Sequence, residues 1–260
     1  MLLGTLSLTA APVWQDDFVQ PAGSAPDPER WTYDLGDNGW GNAELQRYTD
    51  SRENSFVIDD PDATDGKALV IRAVREGTAQ PTSARLKTQG KFAATYGRIE
   101  ARMKLPKGQG IWPAFWMLGE SISAVGWPRC GEIDIMEVVG HEPNKLHGTL
   151  HGPGYSGKDG LNQSMVLPPG QTLSDRYRVF SVEWSPGKIV WMLDGQVFHV
   201  RTPENLSKGT AWVFDDAPFF LILNVAVGGH WPGYPDATTV FPQELRIDYV
   251  RVHALPPASP

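Results

Sequence analysis

Only one cysteine, Cys130, occurs in 260 residues. A lone thiol excludes an internal disulfide and a multi-cysteine zinc site, and a packed, unreactive side chain is the expectation for it. Cationic residues are also short: 23 Lys and Arg stand against 30 Asp and Glu, giving a formal charge of −7 and a pI near 5.4. Such a surface repels a phosphate backbone, so nucleic acid is not expected as a partner and a neutral substrate fits better. No stretch approaches the eighteen or more apolar residues of a membrane-spanning helix, and no membrane partner is expected. No G-x-S-x-G elbow supports an acyl-transfer triad. "GPGYSG" at 152–157 matches G-x-G-x-x-G in form alone, because a Pro follows the first Gly and no βαβ pattern surrounds it.

The ends of the chain are equally spare. "MLLGTLSLTAAP" has the short apolar stretch and Ala-rich end of a signal peptide without its positive beginning, so residues 1–12 read as a signal-peptide remnant or a cloning-derived segment. Residues 255–260, rich in Pro, read as a tail or linker stub. Between them, 13–254 is expected to be one domain, since all-β sandwiches often reach this size. The sequons at Asn162 and Asn205 matter only in a host that glycosylates.

What is abundant is turn residues and apolar alternation. With 27 Gly and 22 Pro punctuating short apolar runs, the pattern is that of strands. In "YGRIEARMKL", Ile99, Ala101, Met103 and Leu105 alternate with charged residues, the period of a strand with one wet face. "VFSVEW", "IVWML" and "QVFHV" predict a three-strand meander whose second turn, Asp194-Gly195, suits the positive φ of a tight hairpin. No run keeps a helical period beyond a turn or two. Many strands without alternating helices predict an all-β, antiparallel two-sheet sandwich.

Within this pattern "GEIDIMEVVG" at 131–140 is anomalous, because it places Glu132, Asp134 and Glu137 in a run that otherwise reads as buried. On a plain strand Glu132 and Asp134 share a face and Glu137 points the other way. One extra residue at Met136 or its neighbour, a β-bulge, would return all three acids to one face and leave Ile133, Ile135 and Val138 for the core. Two Glu so placed have carboxyls roughly 5–7 Å apart, closer to the separation of retaining glycosidases than of inverting ones. Two plainer readings stand beside this one: acids on the wet side of a sheet, or calcium ligands. Upstream, "GIWPAFWMLG" puts Trp112 and Trp116 on one strand face, where indoles can stack on sugar rings or pack in the core.

These residues resemble a known family. "GEIDIMEVVG" is similar to the E-x-D-x-x-E signature of family 16 glycoside hydrolases in the bulged form of the laminarinases, the endo-β-1,3-glucanases; lichenases of that family carry the shorter E-x-D-x-E. The likeness extends in order through "GWGNAELQRYT", "SARLKTQGKFAATYGRIEARMKLPKGQGIWPAFWMLG", "LHGTLHGPGYSG", "WVFDDAPFFLILNVAVGGHWPG" and "FPQELRIDYVRVHA". It implies a concanavalin A-like β-jelly-roll with a concave sugar-binding cleft, acting on β-1,3-glucan; because a polysaccharide cannot enter a cell, the protein is expected to be secreted, and it is expected to be a monomer. It further implies Glu132 as nucleophile, Asp134 as its helper and Glu137 as general acid/base. Asn42, Arg85, Trp112, Trp116, His151, Trp231 and Gln243 are then expected in the cleft. No cofactor is expected for catalysis, but a structural calcium is, at Asp17, Gly66 and Asp248, the first two through backbone carbonyls. Mixed-linkage glucanase and non-catalytic β-glucan-binding module are the alternatives.

Overall fold

The computed structural model describes residues 11–215 and 217–256; most of the expected N-terminal remnant and the last four residues lie outside them. In chain order the strands are β1 (Trp14–Asp16), β2 (Thr32–Asp34), β3 (Arg47–Tyr48), β4 (Ser55–Asp59), β5 (Lys67–Ala73), β6 (Thr82–Ser83), β7 (Arg85–Lys87), β8 (Gly97–Lys104) and β9 (Ile111–Gly119). They continue as β10 (Glu132–Glu137), β11 (Lys145–His151), β12 (Gln163–Val166), β13 (Arg178–Ser185), β14 (Lys188–Leu193), β15 (Gln196–Arg201), β16 (Phe219–Val227) and β17 (Gln243–His253). A single turn of α-helix, α1 (Ile122–Val125), interrupts them.

Two large antiparallel sheets form a sandwich, as the alternation predicts. One runs β15-β14-β13-β8-β17-β5-β4, with β1 also paired to β17; the other runs β12-β11-β10-β9-β16-β7-β2. The predicted meander is present as β13-β14-β15, and its second turn takes φ of 50° at Asp194 and 79° at Gly195. Ile99, Ala101 and Met103 of β8 face Ile111, Phe115 and Met117 of β9 across a continuous apolar core. Burying each such side chain stabilises by about 1.5–3 kcal/mol, which sets the register of both strands.

The seven-stranded sheet carries the site. Along β9 the residues between those core positions, Trp112, Ala114, Trp116 and Leu118, stand on the outer face, and β16 does likewise with Asn224. Part of that face is closed over by Leu118, Cys130, Phe220 and Ile222, packed beneath Ile122 of α1. Burial there pushes the Cys130 thiol up to about 11, so it stays protonated as a packed hydrophobe.

Candidate active site

Strand β10 contains the bulge that the three acids require. Against β9, Asp134 pairs with Trp116 but Met136 with Phe115; against β11, Asp134 pairs with Thr149 and Glu137 with His147. The extra residue is Ile135, next to Met136. Ile133, Ile135, Met136 and Val138 all lie in the core, while Glu132, Asp134 and Glu137 stand on the outer face. Their neighbours there are Trp112 and Trp116 from β9 and His147, Thr149 and His151 from β11, each brought by the same two-residue alternation.

Two adjoining hollows run over this face. One of about 660 Å³ is lined by Glu137, His147, Thr149, Asn162, Trp231 and Lys158, among others. The other, about 330 Å³, is lined by Glu132, Asp134, Trp116, Trp127, Arg85 and Trp40, among others. Asn42, His151 and Gly157 border both, so the acids lie at the middle of one cleft.

Each acid has its own partners. The Trp127 indole N–H donates to Glu132 Oε2 at 2.7 Å. His151 Nε2 lies 3.8 Å from Glu132 Oε1 and 3.2 Å from Asp134 Oδ2. Glu137 accepts from Trp112 Nε1 at 3.2 Å and from Thr149 Oγ1 at 3.4 Å. Burial raises all three carboxyls; the neighbouring acids raise Glu132 and Glu137 further, whereas a hydrogen bond with Glu132 lowers Asp134, so that Glu132 and Asp134 reach about 8 and Glu137 stands well above the usual range. His151 pulls Glu132 back down, with help from Trp127 and Arg85. One face of one strand therefore offers a carboxyl whose ionised form is held by strong donors and a carboxylic acid that keeps its proton.

The remaining cleft residues are held by their neighbours. Trp116 Nε1 donates to Asn224 Oδ1 at 2.8 Å, Asn224 Nδ2 to the Tyr48 hydroxyl at 3.2 Å, and that hydroxyl to Glu44 Oε2 at 3.4 Å. Glu44 also receives Asn42 Nδ2 at 3.3 Å. Arg85 lies between the Trp40 and Trp116 rings, 4.8 and 4.7 Å from their centroids, and its Nε pairs with Asp34 at 2.9 Å. Trp231, 42% exposed, meets Trp112 edge-on at 5.4 Å and His147 at 5.0 Å.

Six of the seven expected cleft residues thus converge, and Gln243 does not. It opens β17 in the other sheet, where its Oε1 accepts from Lys107 N at 3.1 Å and its Nε2 donates to Val240 O at 2.8 Å. Both ends of the amide tie loops together. Sequence reasoning missed His147 and Thr149, although their spacing from His151 is the strand period. It also missed Trp127, Trp40, Asn162 and Asn224, and for Trp127, in a loop, no periodic signal exists.

Of the expected calcium residues, Asp248 lies on β17 in the other sheet, Gly66 just before β5 and Asp17 just after β1. Asp248, 1% exposed, takes the Thr64 N–H at 3.0 Å, the Thr64 hydroxyl at 2.6 Å and the Arg102 guanidinium. The Gly66 carbonyl accepts from Asp60 N at 3.0 Å, and the Asp17 carboxylate pairs with Arg251 at 2.7 Å. Arg102 thus supplies positive charge at Asp248, the one carboxylate expected to face a calcium ion, while the Gly66 carbonyl keeps a second lone pair.

Known proteins carry the same arrangement of sequence and fold. The model for glycosyl hydrolases family 16 matches residues 46–251. A beta-glucanase from Rhodothermus marinus is 43% identical over 93% of this chain and 84% of its own. Among solved structures, the laminarinase catalytic domain from Thermotoga maritima MSB8 superposes with a TM-score of 0.85 at 49% identity, covering 94% of this chain and 98% of that one. The endo-β-1,3-glucanase from Pyrococcus furiosus gives 0.84 at 47% identity, with 94% of each chain covered.

Proposed function

The chain belongs to glycosyl hydrolases family 16, and on that premise we propose that it hydrolyses internal 1,3-β-glucosidic linkages of laminarin-type β-glucans with retention of configuration. The observation that carries this reading is the bulged strand, which puts Glu132 and Glu137 on one face of the cleft in unlike hydrogen-bonding environments.

Glu132 attacks the anomeric carbon as its carboxylate while Glu137 gives its proton to the leaving glycosidic oxygen, and a covalent glycosyl ester forms. Esterification removes the charge of Glu132. One of the groups that raises Glu137 is lost, so Glu137, now ionised, can take a proton from water as that water attacks the ester. The hydroxyl goes to the anomeric carbon, Glu132 leaves as carboxylate, and the acid is restored. Asp134, between them and within reach of His151, orients Glu132, and when ionised its charge raises Glu137. Trp112, Trp116, Trp127 and Trp231 supply ring faces and edges for pyranose rings. All of these groups come from one chain, so a monomer suffices, and we place its action outside the cell because a polysaccharide does not cross a membrane.

The test is product analysis on laminarin, with barley mixed-linkage glucan and agarose alongside and Glu132→Gln as control. Early release of mixed short oligosaccharides from laminarin, abolished in the variant, is the expected result. Preferential attack on barley glucan would make it a mixed-linkage glucanase. Binding of laminarin without release would make it a binding module.

A further inference from the structure

The bulge that turns Glu137 outward is contacted from beneath by the opposite sheet. Asp134 stands where the register of β10 slips against both neighbours, β9 and β11. Its carbonyl oxygen accepts the Nε1–H of Trp191 at 2.8 Å, and Trp191 belongs to β14 in the other sheet. In a regular strand a carbonyl lies in the plane of its own sheet and points at a neighbouring strand. A carbonyl bonded across the sandwich belongs to a peptide rotated out of that plane, and this rotation between Asp134 and Ile135 is what changes the parity of the acids.

The surroundings of Trp191 fit that contact. Gly148 of β11 lies opposite the bulge, between the pairs Asp134–Thr149 and Glu137–His147. A Cβ there would sit 2.6 Å from Trp191 Cδ1 and 2.9 Å from its Nε1, so only glycine lets the indole reach Asp134. His199 of β15, directly across from Trp191, stacks on the indole with ring centroids 4.4 Å apart and planes 20° apart. Its Nδ1–H donates to the Gly148 carbonyl at 3.1 Å, which closes a clamp around the bulge. Burial holds His199 down at about 4, so the imidazole stays neutral and the clamp does not titrate at neutral pH.

We propose that Trp191 is a positioning residue for hydrolysis: its N–H locks the rotated Asp134–Ile135 peptide and thereby holds Asp134 and Glu137 on one face at working distance. The inference rests on the roles proposed above for these two acids. Trp191 is fully buried and belongs to the core, so a change in activity alone would not separate positioning from packing.

The decisive variant replaces Trp191 by 3-benzothienylalanine, which keeps the ring's shape and exchanges its N–H for sulfur. The expected result on laminarin is a kcat about tenfold lower with KM within about twofold, and an alkaline limb of the pH profile shifted, because the charge of Asp134 helps set the acidity of Glu137. Gly148→Ala, which keeps the N–H but displaces the ring, is expected to give the same split between kcat and KM. A merely structural role would lower Tm and leave kcat and the pH limb of the folded enzyme unchanged. That outcome overturns the proposal, as does full activity in the benzothienyl enzyme. Inactivity of the unmodified enzyme on every glucan would instead overturn the function on which it rests.

Discussion

The donor on Glu132 is shorter than either donor on Glu137, at 2.7 Å against 3.2 and 3.4 Å, and at the scale of single residues this difference supports the unlike roles proposed for the two carboxyls. The Thr149 hydroxyl is itself oriented, because Asn162 Nδ2 donates to its oxygen at 2.9 Å and leaves its proton to face Glu137. A hydrogen bond to the ionised form holds a carboxyl down, so its removal lets the carboxyl rise. Thr149→Val is therefore expected to move the alkaline limb of kcat/KM upward by about half a pH unit, with a several-fold loss of kcat; a limb that stays or falls would show that the hydroxyl does not act on Glu137. Thr149, His147 and His151 were legible in principle, since "HGTLH" repeats polar residues at the strand period. Asn162 was not, because its reach to Thr149 depends on how a loop returns over β11.

At the scale of elements, the bulge in β10 converts a spacing of five residues into the parity of four. Insertion of one Ala between Met136 and Glu137 is expected to send Glu137 to the core face and abolish hydrolysis. Deletion of Ile135 leaves the acids two and four positions from Glu132, still on one face. That variant is expected to lose about 2–5 kcal/mol with a buried isoleucine yet retain measurable laminarin hydrolysis; total inactivity in a folded deletion variant would show that the rotated peptide, not parity alone, is required. A second bulge marks β17, where Asp248 falls between the pairs Ile247–Met103 and Tyr249–Arg102 of β8. It turns Asp248 toward Arg102 and Thr64, which is why a carboxylate matching a calcium motif ends in an ion pair. Thermal melts are expected to be unchanged by calcium or by a chelator, while Asp248→Asn lowers stability by about 1–3 kcal/mol. A calcium-dependent rise in Tm would reverse that reading.

At the scale of the whole molecule, gathering three acids over a packed core has a cost that depends on pH. Glu132 and Asp134, with ordinary values of 4.5 and 3.8, are both pushed up to about 8 in the folded protein, and Glu137 is raised as well. Between the unfolded and folded values the native state binds more protons than the unfolded chain, so stability falls as pH rises from about 4 to about 8. Glu137→Gln removes one such group. Its Tm is expected to match the parent near pH 4 and exceed it near pH 8; an equal difference at both pH values would mean that Glu137 does not titrate abnormally. The sandwich, the meander, the need for a bulge and the face shared by the acids were all determined by the sequence alone, because strand alternation is local and a one-residue slip in it exposes a core. Which indole reaches Glu132, why Gln243 stays out of the cleft, how arginines occupy Asp17 and Asp248, and that Trp191 supports the bulge from the opposite sheet were decided only by the tertiary structure. Those contacts join residues far apart in the chain, and their partners are set by how the two sheets pack and how the loops close over them.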